Sequence, residues 1–173
     1  MRKSLFFILL MLFFLQISCK KDDTPSTSGI ATIDNTTYLD QTYYVFGFLF
    51  SEAKLVSTLA DPPPDITVDS DGTNLLFQAN NLKNSFYKFG EYNDAASAKT
   101  AFDNLTSANV TQWEGLAYPV EANQIWLYRS GTEHYAKLRI ISIISEIRSE
   151  RNYAECKFEW VYQPDGSLTF PGK

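Results

Sequence analysis

Few residues in this 173-residue chain could do chemistry. His134 is its one imidazole, so any Ser/His/Asp or Cys/His pair would have to use it. It sits in Ser130-Gly131-Thr132-Glu133-His134, a turn between two expected strands. A polar surface residue is the ordinary occupant of such a place, and contact with a ligand is the alternative. Two cysteines and one histidine cannot supply the four ligands of a structural zinc site. Cys156 lies in the alternating run Tyr153 to Trp160 and reads as a small buried hydrophobe rather than a nucleophile. Asp69-Ser70-Asp71-Gly72-Thr73-Asn74 carries the oxygens of a calcium loop. Thr73 stands at the fifth position, however, and no helix flanks the run, so it reads as an Asp-Gly turn. With 20 acidic residues some carboxylate pair falls within reach by chance, so pairing of the glycosidase kind carries no weight. There is no GxSxG elbow, P-loop or GxGxxG. Trp126 and Tyr128 could stack on a planar ligand. They share one face of a strand whose other face carries Ile125 and Leu127, so that strand is either covered on both sides or bears a binding patch.

The elements that must position these residues are mostly strands. Aromatics make up 15% of the chain, with 13 Phe and 10 Tyr, and they favour pleated structure. Tyr43–Phe50 reads as a strand, with Lys54–Ser57 as a partner. Three consecutive prolines, Pro62 to Pro64, cannot join a ladder. Asp65–Asp69 and Asn74–Gln78 form a hairpin around Asp71-Gly72, and Ser85–Tyr92 alternates again. Helical spacing of Ala95, Ala98, Ala101, Phe102 and Leu105, with Asn93 or Asp94 as cap, predicts one helix from Asp94 to Leu105. Val110 to Leu116 is strand or irregular. Gln124–Arg129, Tyr135–Ser145 and Tyr153–Gln163 then form a three-strand antiparallel meander. The expected fold class is α+β, β-dominated, with antiparallel sheets and one short helix. The formal charge of −5 argues against a sequence-independent nucleic-acid binder.

The N-terminus reads as an address. Met1-Arg2-Lys3-Ser4 is basic, and the uncharged run Leu5 to Leu15 is too short for a spanning helix, which needs about 20 apolar residues. It fits the core of a signal peptide. Gln16-Ile17-Ser18-Cys19 resembles a bacterial lipobox, in which the cysteine takes a diacylglyceryl group and becomes the new N-terminus. Residues 1–18 are thus expected to be a lipoprotein signal, 19–29 the lipidated cysteine and a flexible tether, and 30–173 one β-rich globular domain. Removing the signal leaves 13 basic residues against 20 acidic ones, a formal charge of −7. Lys21-Asp22-Asp23, behind the cysteine, resembles the surface-export signal of Bacteroidota lipoproteins.

A second resemblance lies in the last third of the chain. Asn123 to Arg129, Tyr135 to Ile140 and Phe158 to Gly166 are similar to the closing region of HmuY-type lipoproteins. These are β-rich, surface-exposed haem-binding proteins that pass haem to an outer-membrane receptor. The resemblance implies an outer-membrane lipoprotein, exposed at the cell surface, acting as a non-catalytic ligand-binding or accessory module. Its partners would be the membrane, through lipid on Cys19, and an outer-membrane protein. Family members with known haem chemistry use a pair of axial His or Met ligands. Both methionines of this chain, Met1 and Met11, leave with the signal, and His134 matches no family ligand position. No haem ligand is therefore carried over, and His134, Trp126 and Tyr128 stand as the candidate ligand contacts. The other reading is a structural or protein-interaction subunit of a surface complex with no small-molecule ligand.

Overall fold

The computed structural model describes residues 25–36, 45–81 and 83–172. Cys19, the signal region and the first residues of the expected Tyr43–Phe50 strand lie outside these.

In chain order the elements are β1 (Ser28–Asp34), β2 (Phe46–Leu49), β3 (Lys54–Ser57), β4 (Ile66–Ser70), β5 (Leu75–Ala79) and β6 (Phe86–Glu91). Helix α1 (Ala95–Asn104) follows, then β7 (Leu116–Val120), β8 (Gln124–Arg129), β9 (Tyr135–Arg148) and β10 (Arg151–Gln163). They form two five-stranded antiparallel sheets, in the orders β1-β10-β9-β8-β6 and β3-β2-β4-β5-β7. The β-dominated class and the closing meander β8-β9-β10 stand as the alternation of those segments predicts. The 66–79 hairpin does too, closed by Asp71, whose Oδ1 accepts from the backbone N–H groups of Thr73 and Asn74.

The sheets stack on a core rich in aromatic rings. Phe48 of β2 meets Phe158 and Trp160 of β10 edge-on or tilted at 5.7 and 5.2 Å between centroids. Phe77 of β5 meets Phe158 at 6.0 Å. Such pairs add about 0.5–1.5 kcal/mol each beyond the area they bury. Cys156 lies fully buried in this core, opposite Ile33 in the β1–β10 register.

Two strands depart from expectation. β1 begins at Ser28, inside the segment read as tether, and pairs with β10 over seven positions from Ser28↔Val161 to Asp34↔Glu155. β7 runs to Val120, past the segment read as strand or irregular, and carries Pro119. It is an edge strand, the place in a sheet where a missing N–H is tolerated.

Helix α1 starts on Asp94, whose carboxylate accepts from the backbone N–H and hydroxyl of Ser97. It lies on the outer face of the first sheet, where Phe102 and Leu105 pack with Ile125, Leu127, Val161 and Phe170. That settles the two-faced strand β8. Trp126 and Tyr128 point into the core between the sheets, Ile125 and Leu127 point under the helix, and all four are buried. Among the described residues no helix is long and apolar enough to cross a membrane.

Candidate functional site

Three polar arrangements stand out against this apolar background. The first lies at the end of the sandwich where β8 turns into β9. His134 is half-buried there, and its Nδ1 shares a hydrogen bond with the Tyr162 hydroxyl at 3.0 Å. Nearby, Asp65 accepts from the Phe50 backbone N–H at 2.8 Å and from the Tyr128 hydroxyl at 3.1 Å. Tyr128 in turn accepts from the Asn81 amide at 3.3 Å. Burial holds the Asp65 carboxyl above the ordinary aspartate value, against the hydrogen bonds from Phe50 and Tyr128 that favour its charged form. The Tyr128 hydroxyl is pushed up by burial and by the neighbouring Asp65 charge. The structure thus brings His134 and Tyr128 to the same end of the fold, and places Trp126 apart from them. Trp126 Nε1 donates to Gln124 Oε1 at 2.8 Å, and the ring is closed to solvent. His134 with Tyr162, and Asp65 with Tyr128 and Asn81, are thus tied by hydrogen bonds, while Arg129 Nε, at the end of β8, is buried with no hydrogen-bond partner among the described residues.

The second arrangement lies under α1. Lys137 is 1% exposed and donates from Nζ to the carbonyls of Phe102 and Leu105 at 2.7 and 2.9 Å, closing the C-terminus of the helix. Its ammonium also sits over the Phe102 ring at 4.6 Å. Beside it Arg139 donates from Nε and NH2 to Glu159 Oε2 at 3.0 and 2.9 Å, and Lys99 lies 3.8 Å from the other carboxylate oxygen. These charges join the helix to the sheet.

The third arrangement is a cleft of about 570 Å³. β2 and β4 meet at the single register pair Phe48↔Ile66, while β2 pairs with β3 over four. At that meeting point the strands approach so closely that a Cβ on Gly47 would stand 2.3 Å from the Ile66 carbonyl oxygen. Beyond it they part, and Thr67 and Asp69 of β4 and Gln78 of β5 line the opening together with Arg148, Arg151 and Tyr153 at the tip of the β9–β10 hairpin. Asn35 fastens the tip: its Nδ2 donates to Asp69 Oδ1 at 3.3 Å and to the Asn152 carbonyl at 3.0 Å, and its Oδ1 accepts from the Ala154 N–H. A second tie runs from Asn152 Nδ2 to the Ser70 carbonyl. The volume is that of a small-molecule site.

In the sequence, Arg148 to Asn152 is only a polar loop between the expected strands Tyr135–Ser145 and Tyr153–Gln163, and the cleft is missed. The signal in the sequence is a two-residue turn flanked by arginines, with neither Gly nor Asn at its centre. His134 stands just before the other end of β9, 14 residues and about 46 Å along the chain from Arg148 at ~3.3 Å per residue. Among the described residues lining the cleft there is no His or Met. These residues do not fit haem held by an axial pair of His or Met.

No known protein family, characterised protein or solved structure matches the chain. The HmuY-type resemblance therefore rests on the residue segments that carry it.

Proposed function

We propose that this chain is an outer-membrane lipoprotein, anchored through Cys19 and facing outward, whose sandwich serves as a non-catalytic module for binding a small ligand in the cleft. One observation carries the binding reading. His134, Tyr162, Asp65, Tyr128 and Asn81 spend their polar atoms on neighbouring protein groups, whereas the cleft gathers polar side chains from β4, β5 and the β9–β10 hairpin around open volume. The signal-like N-terminus and the lipobox resemblance support the anchor.

A thermal-shift panel of soluble metabolites on the full chain tests the reading, with Gln78→Trp as a cleft-filling variant on an exposed strand position. A ligand at 100 times its Kd stabilises the folded chain by about 2.7 kcal/mol. Stabilisation that Gln78→Trp removes supports the module, and stabilisation that survives it places binding elsewhere. Cys19→Ala tests the anchor: the variant leaves the membrane fraction, and retention there would sink the lipid attachment.

The alternative, a protein-interaction subunit, draws on Leu55 and Leu59, which are 47% and 65% exposed on and just after the edge strand β3. It predicts a silent Gln78→Trp and loss of a co-purifying envelope protein on Leu55→Asp.

A further inference from the structure

The cleft holds a combination of features that a fold does not keep for stability. Arg148 and Arg151 face one another as a directly opposed cross-strand pair, where like charges are destabilising. The two residues between them, Ser149 and Glu150, both occupy the left-handed region, at φ 49° and 67°. A hairpin turn of this hand ordinarily uses Asn-Gly, and side chains other than Gly or Asn there cost backbone strain. Both unfavourable features fall at the point where the turn borders the cleft.

The guanidinium groups are differently held. Arg148 is fixed by an ion pair with Glu146 and by stacking over the Tyr153 ring at 3.4 Å. Arg151 has no ion pair or side-chain hydrogen bond with the described residues. Across the opening, the side chains of Gln78 and Thr67 make no hydrogen bond with the described residues either. Among the described residues of the lining the one carboxylate, Asp69, uses Oδ1 to accept from Asn35 and from the Ser70 N–H, which leaves Oδ2 as an acceptor. A bare anion would meet Asp69 as a repulsive neighbour. A hydroxylated acid would not, because its hydroxyls donate to Asp69 and Gln78 while its charged group lies on the arginines.

We propose that the cleft binds small hydroxylated acids of the sugar-acid type, with a carboxylate or phosphate between Arg148 and Arg151 and hydroxyl groups on Asp69 and Gln78. This rests on the reading of the cleft as a ligand site and names its ligand class. Planar guanidinium forks match carboxylate and phosphate oxygens in pairs, which gives direction as well as charge.

Isothermal titration of the full chain in detergent with glucuronate, glucose and inorganic phosphate tests it. Glucuronate saturates, binds about tenfold or more tightly than glucose, and weakens as salt rises. Arg148→Gln with Arg151→Gln lowers glucuronate affinity by about tenfold or more. Asp69→Asn weakens glucuronate but not phosphate. Both arginines are exposed, so the double variant keeps its fold, and an unchanged far-UV spectrum verifies this. Equal affinity for glucuronate and glucose, or glucuronate binding indifferent to the double substitution, overturns the acidic class. If that binding is still lost in Gln78→Trp, the ligand-module reading survives the failure. Absence of saturation with all three compounds overturns the inference, and the metabolite panel then decides the module reading on its own.

Discussion

Lys137 offers the sharpest test of how the helix is held. Replacing it with Met keeps the length and apolar volume of the side chain and deletes the ammonium. The Leu105 carbonyl then loses its bond at 2.9 Å, whereas the Phe102 carbonyl keeps the weaker bond from the Leu105 N–H at 3.3 Å. A hydrogen bond to a charged group contributes about 1.5–3 kcal/mol, and a buried polar atom left alone costs about 1–3 kcal/mol. Relief from burying the ammonium offsets part of the loss. The expected net cost of Lys137→Met is about 2–3 kcal/mol. For a domain of this size that lowers Tm by roughly 5–10 °C. Urea denaturation followed by tryptophan fluorescence measures it, with Lys137→Arg as the variant that keeps a donor. A Lys137→Met protein within about 0.5 kcal/mol of the parent would refute the argument that this ammonium closes α1. It would leave the packing of Phe102 and Leu105 and the Lys99–Glu159 pair to hold the helix.

Asp65 sets a pH dependence whose sign is fixed by its raised value. Its contribution to stability is fully present below the ordinary aspartate value of 3.8 and is lost as pH rises through the folded value. The stability difference between the parent and Asp65→Asn should therefore fall from about pH 4 upward and then level off; a difference flat across that range would refute the burial argument. Glu159→Gln leaves Arg139 without its countercharge beneath the helix and should cost about 3–5 kcal/mol by the same urea assay, with a loss under 1 kcal/mol counting against a buried pair. Cys156 is fully buried and its thiol is pushed up by that burial, so in a Cys19→Ala background it should resist a thiol reagent until the fold opens. Labelling of folded protein at the rate of a free thiol would contradict the core placement. Ser149→Asn with Glu150→Gly relieves the left-handed strain at the hairpin tip and should raise stability by about 1 kcal/mol or more, where no gain would mean the turn is not strained.

What was legible in the sequence follows from how local each signal is. The meander, the 66–79 hairpin and α1 are written in neighbouring residues: alternation in Ile125 to Arg129, Asp71-Gly72 at a turn, Asp94 before an alanine-rich helical face. β1 is not, because Ser28-Gly29-Ile30 looks like tether until β10, more than 120 residues later, supplies its partner. β7 is hidden by Pro119, which speaks against a strand except at an edge. The buried state of Lys137 is equally invisible, since only the docked helix makes a lysine within β9 an interior residue. Of the candidate contacts, His134 and Tyr128 do converge at one end of the sandwich. The cleft escapes because chain segments some 30 and 80 residues apart build it, and none of them alone carries a motif.

The β1–β10 pairing has a mechanical consequence. Ser28 lies nine residues beyond Cys19, so the lipid anchor proposed above would leave no more than about 30 Å of extended chain between membrane and domain. Tension along that leash enters the fold at the first residue of β1. Drawn along the strand axis, it loads seven antiparallel register pairs together, in shear, rather than unzipping them one at a time. A domain held in this way passes a tug on its surface to its membrane end through its most extensively paired sheet.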